Sequence, residues 1–382
     1  MSRVIDKDLL NEYWFSVSAG GRINLIGEHI DYCGGKVFPA ALSLKNTVYI
    51  KPNGTNKINV SWTTLPDKVT LDLDKLDSYK NLKYGNYQAG VAYYLQEAGY
   101  KIVGCDILSD CTVPFGSGLS SSASIEVSTI KALLTVSDQT MSNVEIAKLA
   151  QKTEINYAGV NCGIMDQFAS ACGKKDMAML LDCKTLDCEY VPLKLGDYTL
   201  VIINSNKPHN LVESKYNERR SETDFALSTL KNVLKIDCLA DLTADDLEKH
   251  KQLLSETVYK RVKHVVDECE RVNLAKKALI KGDILALGQL LNQSHQSLDL
   301  LYDVTGFELN ALQSVASSFK GCAGARMVGG GFGGCCIALV EKNLVEDFKK
   351  KVHSNYLAKT NYAPTFYDCT IEDGIVVQNL NK

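Results

Sequence analysis

The sequence predicts an α+β protein of two domains, on three observations. At 382 residues the chain is longer than one hydrophobic core usually serves. Its first part carries short β-branched, alternating runs, while its later part turns helical and then returns to strands. Glycine clusters at residues 20–35, 116–118 and 324–334 punctuate that order.

Composition narrows the class. Hydrophobic residues make up 45% and charged residues 23%, as in ordinary globular proteins. The net charge of −3 gives no strong attraction to nucleic acid or to anionic membranes. No window approaches the roughly 18 consecutive apolar residues of a membrane span, and Met1–Asp8 lacks an apolar signal core. A cytoplasmic protein, monomeric or weakly homo-oligomeric, is expected. The thirteen cysteines are odd in number and their spacing fits neither a disulfide framework nor a zinc site. Free thiols in a reducing compartment are the expectation.

Strands are expected at Thr47–Lys51, Lys57–Trp62 and Val69–Leu73, between Gly, Asn, Pro and Asp breaks. A helix follows at about Gly85–Ala98, then a strand at Lys101–Leu108. Ile125, Ile130, Leu133 and Leu134 mark a helix running to about Val136, and Asn143–Tyr157 reads as another. Met177–Leu181 and Thr199–Ile203 read as strands, with Pro192 and Gly196 between them. The change of texture near residues 190–200 divides the chain into 1–195 and 196–382. Beyond Leu211 the pattern is mainly helical to about Asn292. Segments at Ala323–Val328, Cys335–Val340, Leu344–Leu357 and Thr365–Ile371 then alternate strand and helix.

The stretch Gly116-Ser117-Gly118-Leu119-Ser120-Ser121-Ser122-Ala123-Ser124 joins a small-residue loop to a helix without a Walker lysine. Alone it would equally be a flexible linker. Its strand and helix flanks make it a phosphate cradle, with backbone amides, a positive dipole end and hydroxyls able to meet phosphate or Mg²⁺. Arg22, Glu28, His29 and Asp31 form a polar cluster between glycines. It reads either as a solvated turn or as a polyol site whose fixed groups demand hydroxyl partners. Asp166, in Cys162-Gly163-Ile164-Met165-Asp166-Gln167-Phe168, reads as a turn former, or as a carboxylate able to orient a hydroxyl if it faces Arg22. Gly329, Gly331 and Gly334 formally spell GxGxxG. A strand comes after them instead of a helix, so a glycine hairpin packed on another loop fits better than a dinucleotide site.

These clusters together resemble the three motifs of the GHMP small-molecule kinases. GRINLIGEHIDYCGG is similar to the galactokinase form of the first motif, VPFGSGLSSSAS to the second and ARMVGGGFGGC to the third. CGIMDQF and Ser214–Arg220 also have that form. The resemblance implies an N-terminal α/β domain of the ribosomal protein S5 domain 2 type and a C-terminal ferredoxin-like α+β domain, with the active site between them. It implies ATP and Mg²⁺ as cofactors, galactose as substrate, and galactose 1-phosphate as product on entry into galactose breakdown. By motif, Asp166 is the catalytic carboxylate and Arg22 its partner. Glu28, His29, Asp31, Gly163 and Tyr216 bind the sugar. Gly116, Ser117, Gly118, Leu119, Ser120, Ser121 and Ser122 cradle the phosphates, Ser122 and Glu154 contact the metal, and Tyr84 lies beside the adenine. Gly20-Gly21 stands where the family usually has a proline before its Gly-Arg, loosening that turn. Ile30 and Cys33 replace the usual threonine and asparagine beside the sugar ligands. A kinase for N-acetylgalactosamine or another galactose-like sugar therefore stays open, as does a non-catalytic sensor of galactose and ATP.

Overall fold

The computed structural model describes residues 10–208 and 212–380; Met1–Asp8 and Leu211 lie outside them. The first half builds a sheet from β1 (Phe15–Asn24), β3 (Pro39–Pro52), β4 (Lys57–Trp62) and β5 (Lys68–Asp72), with the short β2 (Lys36–Val37) between β1 and β3 in sequence. Helix α1 (Asn86–Glu97) leads to β6 (Cys105–Cys111), which pairs antiparallel with β3 and parallel with β4. That strand begins at Cys105 instead of Lys101: Val103 is exposed, whereas Cys105 and Ile107 are fully buried. Behind the sheet lie α2 (Ser121–Val136), α3 (Asn143–Thr153) and α4 (Met165–Cys172). Ser142 and Glu145 close a capping box at the start of α3. Ser124, buried inside α2, makes two bonds to the sheet: its hydroxyl donates to the Ala19 carbonyl at 2.7 Å and accepts the Asn46 N–H at 2.9 Å. They tie the helix to β1 and β3.

The expected loose turn at Gly20-Gly21 is instead the middle of β1, with a bulge between Gly20 and Arg22. A Cβ on Gly20 would collide with the Leu42 carbonyl, and one on Gly21 with the Leu119 carbonyl. Glycine is used here for close backbone approach, not for flexibility.

After α4, β7 (Met177–Asp182) and β8 (Cys188–Pro192) form a three-stranded sheet in the order β2-β7-β8. The second half begins with β9 (Tyr198–Asn204) and runs through helices α5 (Val212–Leu230), α6 (Ala244–His250), α7 (Glu256–Lys281), α8 (Ile284–Ser297) and α9 (Gly306–Ser317). It then adds β10 (Cys322–Met327), β11 (Cys335–Glu341), α10 (Val345–Thr360) and β12 (Thr365–Tyr367), making an antiparallel sheet in the order β10-β11-β9-β12. Buried Cys335 to Val340 make β11 apolar on both faces, as a central strand requires. The final strand, β13 (Val376–Asn379), returns to the first half and pairs with β1, completing the order β13-β1-β3-β6-β4-β5. A division at residue 195 thus separates the two larger sheets except for this last strand. The thirteen cysteines are all free. Among the described residues no helix is long and apolar enough to cross a membrane.

Candidate active site

A cleft of about 240 Å³ opens where the N-terminus of α2, the loop after β1, the turn before α4 and the hairpin between β10 and β11 converge. It brings together Arg22, Glu28, His29, Asp31, Gly163, Asp166 and Tyr216 with Gly116, Gly118, Ser120, Ser121, Ser122 and Glu154. Residues as far apart in sequence as Arg22 and Gly330 therefore share one site.

At its centre Arg22, on β1, grips Asp166 in the first turn of α4. Nε donates to Oδ1 and Nη2 to Oδ2, each at 2.9 Å. The third fork of the guanidinium donates to the Gly118 carbonyl at 2.6 Å, so the phosphate loop and the carboxylate share one rigid cation. Ser120 sits in left-handed conformation (φ 62°) and donates to Asp166 Oδ2 at 2.5 Å. The hydroxyl of the first serine is thus engaged by the carboxylate, while Ser120, Ser121 and Ser122 all line the cleft. Asp166 remains 29% exposed, held from behind and open toward the cleft.

Ser122 lies beside Glu154, which sits where α3 passes into a single π turn, Glu154–Ala158. Such turns interrupt a helix to present a side chain. Burial pushes the Glu154 carboxyl up to about 7, against the Ser122 hydroxyl and with help from the Asp166 charge. Gln167 donates to its Oε2 at 2.6 Å. Glu126, four residues beyond Ser122 on α2, is fully buried beside Glu154, and neither of its oxygens makes a well-formed hydrogen bond. Burial raises its pKa well above the ordinary carboxylate range, with Glu154 adding to the effect.

On the opposite side, burial raises the Asp31 carboxyl to about 7, and the Asp166 charge reinforces the shift. Gly163 packs so closely that a Cβ there would overlap the Asp31 carboxylate. The Tyr216 ring, from α5, lies 5.6 Å from His29 and 5.7 Å from Tyr32.

Glu28 and His29 line the cleft but are more committed to the protein than expected. Glu28 Oε1 pairs with Arg326 Nη2 at 2.9 Å and accepts the Gly329 N–H at 2.7 Å, while Oε2 accepts the Asn24 amide. His29, also left-handed (φ 62°), meets Tyr32 through Nδ1 and the Gly330 carbonyl through Nε2. These contacts join the first motif to the glycine hairpin. Sequence reasoning missed the residues that complete the joint. Arg326, fully buried, donates to the Leu25 carbonyl at 2.8 Å. On α7, His264 Nε2 meets the Glu28 carbonyl at 3.1 Å and Glu268 accepts the Gly27 N–H at 3.0 Å. Their four-residue spacing put His264 and Glu268 on one helical face, but in a charge-rich helix that spacing looks like solvated surface.

Ser117 and Leu119 contribute backbone and not side chain to the loop. The Ser117 hydroxyl donates to the Pro114 carbonyl at 2.7 Å, and Leu119 is fully buried with its carbonyl accepting the Arg22 N–H at 3.0 Å. The glycine hairpin packs on this loop. A Cβ on Gly329 or Gly334 would lie 2.8 Å from the Gly118 or Ser117 carbonyl oxygen. Tyr84 does not line the cleft; its ring centroid is 6.1 Å from that of Trp62, with the Lys83 ammonium 5.0 Å from it.

Comparison with known proteins agrees with this geometry. The galactokinase galactose-binding signature matches residues 9–52, the GHMP kinases N terminal domain residues 86–174, and the GHMP kinases C terminal domain residues 275–358. The chain is 47% identical to a galactokinase of Clostridium tetani over 93% of its length and 91% of the relative's. It is 44% identical to one of Staphylococcus saprophyticus, covering 94% of each chain. The crystal structure of Lactococcus lactis galactokinase complexed with galactose superposes with a TM-score of 0.92 at 40% identity, over 96% of this chain and 95% of that one. Methanococcus jannaschii mevalonate kinase shares the fold, with a TM-score of 0.65 at 20% identity over 94% and 98% of the two chains. With signatures in both halves and such identity along nearly its whole length, the chain belongs to the GHMP kinases, in the galactokinase family.

Proposed function

We infer that this chain transfers the γ-phosphoryl group of ATP to the anomeric hydroxyl of galactose, giving galactose 1-phosphate and ADP. The observation that carries the reading is the Arg22–Asp166 pair, anchored to the Gly118 carbonyl and set between the serine loop and Asp31.

Phosphoryl transfer asks the protein chiefly for alignment and charge neutralisation. The Asp166 carboxylate, oriented by two donors from Arg22 and one from Ser120, accepts a hydrogen bond from the sugar hydroxyl and directs its oxygen toward the phosphate. As the hydroxyl loses its proton, the Arg22 cation keeps negative charge favourable at this point. Gly116, Gly118 and Ser121 offer the phosphates backbone amides at the start of α2, where the dipole favours anions. Asp31, Gly163 and Tyr216 hold the other sugar hydroxyls, with Glu28 and His29 fixing the wall behind them. Tyr84, beside Trp62 and outside the cleft, would meet the adenine only where the nucleotide extends beyond the phosphate loop.

Mg²⁺ fits the remaining oxygens. It favours one or two protein carboxylates plus substrate phosphates over an all-protein cage. The Ser122 hydroxyl and Glu154 carboxyl are adjacent, and Glu126 lies buried behind them with no well-formed hydrogen bond, so a cation bound here would favour the charged form of carboxyls that burial otherwise holds protonated. Bound there with ATP, the ion would neutralise phosphate charge.

A coupled ADP-release assay tests the reading across galactose, 2-deoxygalactose, N-acetylgalactosamine and arabinose. The highest kcat/KM is expected with galactose. A higher value with N-acetylgalactosamine would move the substrate to that sugar, and binding of both galactose and ATP·Mg²⁺ without turnover would make the chain a sensor.

A further inference from the structure

We propose that Tyr32 and Tyr302 are positioning residues that hold His29 as its Nε2–H tautomer, so that this ring faces the cleft as a hydrogen-bond donor only. The proposal rests on the reading of this cleft as the sugar site. Its geometry is a chain of three contacts. The Gly330 carbonyl lies 3.2 Å from His29 Nε2, the Tyr32 hydroxyl 2.7 Å from His29 Nδ1, and the Tyr302 hydroxyl 2.9 Å from that of Tyr32.

The direction of every bond is set from one end. A carbonyl oxygen accepts and cannot donate, so Nε2 must carry the proton. His29 is buried and its pKa is driven down to about 3 by desolvation, so the ring is neutral and Nδ1 is a bare acceptor. Tyr32 therefore donates to Nδ1. Having used its only proton, its oxygen accepts from Tyr302. Reversing the last bond would turn the Tyr32 proton away and leave two lone pairs facing each other at 2.7 Å. For the neutral ring no other proton arrangement satisfies all three contacts.

The chain also joins three segments distant in sequence. Tyr302 ends the π turn after α8, Tyr32 and His29 belong to the loop after β1, and Gly330 lies in the glycine hairpin. Tyr302 is fully buried, its ring centroid 4.8 Å from His29 and 4.6 Å from His264. Arg220 lies over the other tyrosine, 5.2 Å from the Tyr32 ring. Packing thus fixes the rings, and the protons can only adapt to them. The consequence is chemical selectivity: the only ring proton is Nε2–H, directed at the Gly330 carbonyl at 3.2 Å, so a sugar oxygen that meets His29 must accept a share of it and cannot donate to the ring.

Nitrogen-15 NMR of histidine-labelled protein reads the tautomer directly, with His29→Asn identifying the signal. The wild type is expected to show His29 protonated on Nε2 and bare on Nδ1 across about pH 6 to 8, the range in which an exposed histidine would titrate. Tyr32→Phe removes the donor to Nδ1. It should mix the tautomers and raise the galactose KM at least about tenfold, the loss that an unpaired buried nitrogen implies, while the ATP KM stays within about twofold. Tyr302→Phe leaves the Tyr32 proton in place, so the tautomer should persist and KM should change less than in Tyr32→Phe. An Nδ1–H signal in the wild type overturns the proposal, as does a larger effect from Tyr302→Phe or an unchanged spectrum and KM in Tyr32→Phe. If the tyrosine variants do not fold, the wild-type spectrum decides alone. Failure of the sugar-kinase reading would show separately, as absence of sugar phosphorylation by a wild type whose tautomer can still be read.

Discussion

Replacing Arg326 by Met tests whether the first motif and the glycine hairpin are held together by one buried cation. Arg326 is fully buried, pairs with Glu28 at 2.9 Å and caps the Leu25 carbonyl at 2.8 Å. Removing one partner of a buried ion pair costs about 3–5 kcal/mol, mostly because the other charge is stranded. Glu28 would keep the Gly329 N–H and the Asn24 amide, which places the loss near the lower end, at about 3 kcal/mol. At about 2.1 cal/mol/K of unfolding entropy per residue, a chain of 382 residues that unfolds in one step loses about 4 °C of Tm for that amount. Thermal unfolding monitored by circular dichroism reads it. The galactose KM should rise with it, since Glu28 and the hairpin both line the cleft. The double variant Arg326→Met/Glu28→Gln removes the stranded charge yet keeps an acceptor for Gly329. It should melt above Arg326→Met alone. A single variant as stable as the parent, or a double variant less stable than the single, would refute the reasoning.

Other residues carry their own expected outcomes. Asp31 has a folded pKa raised from 3.8 to about 7, so its stabilising contribution is present below 3.8 and is lost as pH rises through about 7. Asp31→Asn should therefore melt above the parent at about pH 8 by more than it does at about pH 5; a difference independent of pH would contradict the burial of that charge. Ser122→Ala should keep the parent Tm within about 2 °C, the scale of a surface change, while kcat falls and the Mg²⁺ concentration needed for half activity rises. An unchanged Mg²⁺ dependence would remove Ser122 from the metal site. Gly334→Ala puts a methyl group 2.8 Å from the Ser117 carbonyl at φ 82°, so it should lower stability by about 1–3 kcal/mol and raise the ATP KM. Parent-like ATP affinity would mean that the hairpin does not support the loop.

The parts of this site that are legible in sequence are those encoded by local chemistry. A strand, a glycine loop and an apolar helical stripe suffice to place a helix directly after the loop, and α2 begins at Ser121, inside the serine run. The GxGxxG segment is readable as a hairpin because β11, immediately C-terminal to it, is apolar in a continuous run. The features that stay hidden depend on distant backbone. Gly20 and Gly21 look like a turn until Leu42 and Leu119 are known to press against them. β13 is four exposed residues that become a strand only because β1 offers an open edge. Ser120 is indistinguishable from Ser121 and Ser122 in sequence; its left-handed backbone turns its hydroxyl to Asp166 instead of phosphate. His264 and Glu268 resemble surface charge on a long helix, and only packing against the loop after β1 makes them buried partners of its backbone. Contacts across more than two hundred residues leave no local period to read.

The central claim is that Asp166, gripped by Arg22, directs the sugar hydroxyl at the phosphate. The most direct measurement is the turnover of Asp166→Asn with galactose and ATP·Mg²⁺, alongside calorimetric binding of each substrate. The amide keeps the shape but can no longer accept a proton as a carboxylate does. The account predicts a folded variant that binds both substrates and turns over at least about a hundredfold more slowly, the scale of a lost acid–base or orienting group. Near-normal turnover in such a variant would contradict it.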